Sequence, residues 1–185
     1  MKSQLVASRL TILALLLFGA LPVYAQNPDL VPHAQPACGV ATAQFQVTTS
    51  DSHAETQVDP GKALIYLVEE QKLRVFRNVT VRVGLDGKWI GANRGTSYLS
   101  FAVEPGEHHL CVDFLSEFLE PGRLVSLYGF TAEAAKTYYF RARTMASVSS
   151  SGNRDIAVLD LDLVNDDQGK LLVANSPLSV SHPKK

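Results

Sequence analysis

The chain has 185 residues, with 17 Lys and Arg against 18 Asp and Glu and a formal net charge of −1. So even a balance excludes the basic surplus that nucleic-acid binding draws on. Residues 1–25 read as a cleavable signal peptide. Lys2 and Arg9 charge the first segment, Leu10 to Val23 is apolar, and Val23-Tyr24-Ala25 precedes Gln26, which places the cut between Ala25 and Gln26. The apolar run is about 14 residues, short of the roughly 20 that a membrane-spanning helix needs. Cleavage leaves 160 of the 185 residues and takes Lys2 and Arg9 with it, so 15 basic face 18 acidic residues, net −3. That length suits one domain with its own core. No later apolar run is long enough to span a membrane.

Residues 26–42, rich in proline, are expected as an extended N-terminal segment. Residues 43–181 are expected as one β-sandwich, and 182–185 as a loose tail. Short strand signals follow one another from Ala43 onward. They cover Gln44–Thr48, Ala63–Val68, Val79–Leu85 with Lys88–Gly91, Ser97–Val103, the run from Glu107, Leu124–Phe130, Thr137–Arg143, Ile156–Leu163 and the region Leu171–Val180. Val79, Val81, Val83 and Leu85 alternate with Thr80, Arg82 and Gly84, which predicts one buried and one wet face. Asp86-Gly87 then supplies a two-residue hairpin turn. Three Pro-Gly turns, at Asp59–Lys62, Glu104–Glu107 and Glu120–Arg123, each introduce a strand. No window has sustained helical periodicity, and Asn165–Gly169 reads as a turn. The predicted fold is all-β, a single antiparallel sandwich of about 7–9 short strands.

The two cysteines left after cleavage, Cys38 and Cys111, read as one disulfide in an oxidising compartment. In the chain-entropy model a loop of that size contributes about 4 kcal/mol. Leu110, Val112 and Phe114 share one strand face and are expected inward. His109, Cys111 and Asp113 then share the other, so the disulfide would strap the N-terminal segment across the outside of that sheet.

The segments PGKALIYLV, VRVGLDGKWIGAN, SFAVEPGEHHLCVDF and FTAEAAKTYYFRAR together resemble domain of unknown function 2846, a bacterial family of exported proteins and lipoproteins. The resemblance spans roughly residues 58–173. Ala134-Ala135-Lys136 departs from it, since the family usually has Ala-Gly-Lys. The hairpin and the Pro-Gly-x-His element also resemble the PEGA surface-layer module. The resemblance implies an immunoglobulin- or PEGA-like β-sandwich in the bacterial envelope, periplasmic or secreted, and implies no activity.

Candidate chemistry is sparse. His108 and His109 are adjacent on a strand, so their rings diverge and cannot chelate one metal together; His109 with Asp113 offers two ligands at most. Asp160, Asp162, Asn165, Asp166 and Asp167 lack the spacing of a calcium loop and read as a solvated strand edge and turn. Lys72, Arg74, Arg77 and Arg82 form a basic stretch, read as a solvated loop and strand face, with contact to anionic polymers or lipid head groups as the alternative. Tyr138, Tyr139 and Phe140 cannot all lie on one face. No nucleophile motif and no phosphate-binding loop is present. No catalytic, cofactor-binding or metal residue is assigned, and no cofactor is expected. The leading expectation is a non-enzymatic structural or protein-interaction module whose partner is an envelope protein or polymer. A small-ligand or glycan-binding module comes second and a hydrolase last.

Overall fold

The computed structural model describes residues 38–53, 59–71, 79–115, 124–148 and 155–184. The leader 1–25, residues 26–37 of the extended N-terminal segment, the Glu120–Arg123 turn, and Lys72, Arg74 and Arg77 lie outside the described residues. Among the described residues the strands are β1 (Phe45–Ser50), β2 (Ala63–Gln71), β3 (Thr80–Leu85), β4 (Lys88–Arg94), β5 (Ser97–Val103), β6 (Gly106–Leu115), β7 (Val125–Ala132), β8 (Thr137–Val148), β9 (Asp155–Val164) and β10 (Leu178–Pro183), with one helix, α1 (Asp166–Ala174). They form a six-stranded sheet, β1-β10-β5-β2-β8-β9, and a four-stranded sheet, β4-β3-β6-β7.

The local turn chemistry acts much as the residues suggest. Asp86 and Gly87 both take positive φ, 50° and 78°, the twist that a two-residue hairpin requires. The β3–β4 register then shifts by one, leaving Ile90 as the extra residue of a bulge. Lys62 N–H closes the Asp59–Lys62 turn onto the Asp59 carbonyl at 2.8 Å and launches β2. Gly106, the first residue of β6, takes a positive φ of 137°, whereas Gly61 does not need one, because the Asp59 carboxylate holds its N–H at 2.9 Å.

The sheets are not purely antiparallel. β8 runs parallel to β2, and β10 touches β5 in parallel. The cause lies between β7 and β8. The chain leaves the four-stranded sheet at Ala132 and enters the six-stranded one at Thr137. The Tyr138 hydroxyl pins this crossing, donating to the Thr131 carbonyl and accepting from Glu133 N–H, both at 3.1 Å. Having changed sheets, β8 meets β2 heading the same way.

Three expectations near the C-terminus need correction. Asn165–Gly169 is the start of α1 rather than a turn. Asn165 caps the helix by accepting from Gln168 N–H at 2.9 Å, and Asp166 and Asp167 lie in the first turn, where the helix dipole favours acids. Leu171 to Ala174 is helical, so the last strand begins only at Leu178. His182 and Pro183 belong to β10 rather than to a tail, paired with Gln46 and Phe45.

The core sits between the sheets. Ile65 and Leu67 of β2, Val81 and Val83 of β3, Leu110, Val112 and Phe114 of β6, and Phe140 and Ala142 of β8 are all fully buried within it. The inward triad on β6 is the one expected from alternation. The outer face of β3 departs from expectation: Arg82 and Gly84 are buried, not wet.

Candidate functional site

The outer face of β3 is dry because a strap of chain covers it. Cys38 and Cys111 are disulfide-bonded, with Cα atoms 5.3 Å apart. The segment that follows Cys38 lies over the outer face of the four-stranded sheet. Gly84 has no side chain because the Cys38 carbonyl occupies that space, where a Cβ would stand 2.5 Å from the oxygen. Trp89 of β4 donates its indole N–H to the Val40 carbonyl at 2.8 Å.

Arg82 stands under the strap, 1% exposed, and is not part of a solvated face. One terminal nitrogen donates to the Ala41 and Ala43 carbonyls, at 2.8 and 2.7 Å. The other pairs with the Asp113 carboxylate, itself wholly buried. The guanidinium lies 4.3 Å from the Trp89 ring centroid, a cation–π contact. Asp113 is therefore not offered to a metal beside His109; its carboxylate neutralises Arg82. Among the described residues no group of three His, Cys, Asp or Glu side chains converges for a metal ion.

Beside the strap lies a groove of about 520 Å³ lined by Asp86, Gly87, His109, Leu127, Tyr128 and Gly129. His109 is exposed on this side, and His108, as alternation requires, turns to the other. The His108 ring approaches Asp86 Oδ2 through Nδ1 and the Glu104 carbonyl through Nε2, each at 2.7 Å. Both partners only accept hydrogen bonds, so this geometry suits the doubly protonated ring. Burial opposes that charge, but the Asp86 carboxylate and Glu104 carbonyl outweigh it and raise the imidazole above its ordinary value. Asp86 moves down. Burial again opposes ionisation, while the His109 N–H and the His108 ring together favour it more strongly. Two large apolar side chains remain exposed on this face, Leu127 in the groove at 49% and Val40 in the strap at 72%. Leu127 faces Cys111 across the β6–β7 register, so the pair flanks the disulfide.

Asp160 and Asp162 do lie on an edge strand, β9, and stay partly solvated, but each is also paired with an arginine of β8. Asp162 binds Arg141 through both carboxylate oxygens, at 3.2 and 2.7 Å, and Asp160 binds Arg143 at 2.5 Å. Together with Glu70 these form an ion-pair ladder across the outer face of the six-stranded sheet. Next to it is a row of aromatic rings. Tyr66 stacks on Tyr139 at 5.3 Å and tilts against Tyr98 at 5.9 Å. Helix α1 packs on Tyr139 through Gly169, where any Cβ would overlap the tyrosine Cβ and ring. Tyr98 and Tyr139 are consequently buried rather than displayed as a sugar-stacking platform. Strand alternation alone puts each of these tyrosines on an outer face, but only the strand order brings them together.

Glu69 belongs to no motif. It continues the inward series Ala63, Ile65 and Leu67 and is fully buried. Its Oε1 accepts from Gln71 Nε2 at 2.7 Å. Among the described residues its Oε2 has no hydrogen-bond partner, nor do the buried Asn93 Oδ1 and Thr144 Oγ1. Burial, only partly offset by Gln71, pushes the Glu69 carboxyl up to about 8.

Comparison of the chain with family models, curated proteins and solved structures finds no match in any of the three.

Proposed function

We propose that this protein is an exported, non-catalytic interaction module of the bacterial envelope, akin to the domain of unknown function 2846 proteins that its four motifs resemble. Its docking face is the strapped outer side of the four-stranded sheet. The observation that carries this reading is the exposure of Val40 and Leu127 on either side of a disulfide, next to a concave groove. Apolar side chains held on cross-linked backbone lose little freedom when a partner covers them, so more of the burial energy appears as affinity. A binding role also agrees with how the polar groups are used. Asp113 serves Arg82, His108 serves Asp86 and the Glu104 carbonyl, and Asp160 and Asp162 serve the arginines of β8. The disulfide and the leader both support a periplasmic or secreted location.

Mild cross-linking in the native envelope followed by purification tests the reading. The wild type should carry a defined partner, and Leu127→Asp should lose it while melting at an unchanged temperature. A partner retained by Leu127→Asp and by Val40→Asp refutes this docking face. N-terminal sequencing of exported material should begin at Gln26; an intact leader refutes the export route. The groove also includes Tyr128, which favours a small ligand as the second reading. In that case an isolated small molecule, not a protein, would show the Leu127 dependence.

A further inference from the structure

A second groove, of about 490 Å³, opens where β1 passes the ends of β3 and β4. Gln46, Thr48, Thr80, Arg94 and Lys184 are among its lining residues. Among the described residues no carboxylate lines it. Among the described residues, too, every other Lys or Arg except Lys88 is paired with an acid: Lys62 with Glu104, Arg82 with Asp113, Lys136 with Glu133, Arg141 and Arg143 with the aspartates of β9, and Lys170 with Asp166. Arg94 and Lys184 have no such partner among them. Two of these three uncompensated cations thus meet in one concavity of a chain whose net charge is −1.

Their backbones are held by strands of both sheets. Thr80 faces Arg94 across the β3–β4 register. Arg94 N–H donates to the hydroxyls of Ser97 at 3.2 Å and Ser179 at 3.4 Å. Lys184 N–H donates to the Gln44 carbonyl at 2.8 Å, which continues the β1–β10 pair past its last residue. The two positive side chains therefore start from fixed points, and two threonines share the groove with them. A guanidinium fork presents parallel donors to an oxyanion, an ammonium adds a point charge, and hydroxyls complete the hydrogen bonds.

We propose that this groove binds a compact oxyanion, a phosphate or sulfate group, between Arg94 and Lys184 with Thr48 and Thr80 as hydrogen-bond donors. The group is either a free anion or the phosphoryl head of an anionic lipid, and the chemistry of recognition is the same for both. Exposed charges at this site are screened by salt, so binding weakens as ionic strength rises.

Amide spectra of the purified protein, titrated with inorganic phosphate at low ionic strength against sodium chloride, read the site directly. Saturable shifts at Thr48, Thr80 and Arg94 are expected, with chloride giving none. Arg94→Gln and Lys184→Gln should each weaken binding about tenfold or more while the melting temperature stays unchanged. Sedimentation with phosphatidylglycerol vesicles, and with phosphatidylcholine vesicles as control, separates the sources. Phosphate saturation identifies a free anion as sufficient; variant-sensitive binding to phosphatidylglycerol alone identifies the lipid head. The proposal fails if neither probe binds, if chloride reproduces the shifts, or if both variants bind as the wild type does.

Discussion

Glu69→Gln isolates the cost of burying a carboxylate in the sandwich. The side chain is fully buried and its carboxyl titrates at about 8 instead of 4.5. Between those values the folded protein holds a proton that the unfolded chain has released, so stability must fall as pH rises. The loss begins near pH 4.5 and is complete above pH 8. Each pH step in that window is worth about 1.4 kcal/mol. The carboxyl therefore costs about 3 kcal/mol at pH 7 and on the order of 5 kcal/mol by pH 8.5. Glutamine keeps the carbonyl that accepts from Gln71 and has no proton to lose. Urea unfolding at pH 4.5, 6, 7 and 8.5 measures the difference, with the m-value checked for constancy. The two proteins should agree near pH 4.5 and diverge steadily, the variant becoming the more stable. Parallel curves, offset by the same amount at every pH, would refute the reasoning. They would mean that Glu69 ionises in the ordinary carboxylate range and that water reaches Oε2.

Other perturbations probe the strap and the turns. Arg82→Met leaves Asp113 buried without its cation and the Ala41 and Ala43 carbonyls without their donor, so thermal melting should record a loss of about 3–5 kcal/mol; a loss below about 1 kcal/mol would show that solvent screens the pair. Ala135 sits at φ 60°, a left-handed conformation that costs an L-residue about 1–2 kcal/mol. Ala135→Gly, set against the greater freedom that glycine gives the unfolded chain, should stabilise by about 0.5–1 kcal/mol, and an unchanged or lower melting temperature contradicts it. His108 and Asp86 should hold each other most firmly between about pH 4 and 6.5, their ordinary values. The raised imidazole loses its contribution as pH climbs through its folded value, and the lowered carboxylate loses its own as pH falls through its folded value. His108→Asn, made in the Glu69→Gln background so that the two effects do not overlap, should flatten the remaining decline in stability above pH 6.5.

Alternation along single strands is legible in the amino-acid order alone. It separates Leu110, Val112 and Phe114 from His109, Cys111 and Asp113, and it places the disulfide on the outside. What alternation does not contain is the neighbour. Arg82 reads as a wet residue because its own strand cannot reveal that residues 38–43 will lie on it. Tyr66, Tyr98 and Tyr139 come from three separate strands, and β8 joins β2 in parallel only because the chain first changes sheets. Asn165 with Gln168 three residues later is a helix-start signal that the chain does carry. It is obscured by Gly169, which weakens a helix interior by about 1 kcal/mol and is there because Tyr139 lies against it. Glu69 continues an apolar period, so the anomaly is visible as a residue type but its missing partners are not. The Arg94–Lys184 groove joins residues 90 positions apart, beyond the reach of local pattern.

The disulfide also decides how the molecule would carry tension. Without the disulfide, force applied to the two chain ends would first meet β1 and β10, whose outer residues Phe45 and Pro183 are paired with each other. Such a pair opens like a zipper, one rung at a time, and resists little. With Cys38 bonded to Cys111, load arriving from the N-terminal side bypasses β1 through β5 and enters β6 directly. The 73-residue span between the cysteines cannot be drawn out. From Cys38 onward only the chain beyond Cys111 can then lengthen, by at most about 250 Å at the reach of an extended residue. Reduction would roughly double that length, so a thiol reductant would change the protein from a short tether into a long one.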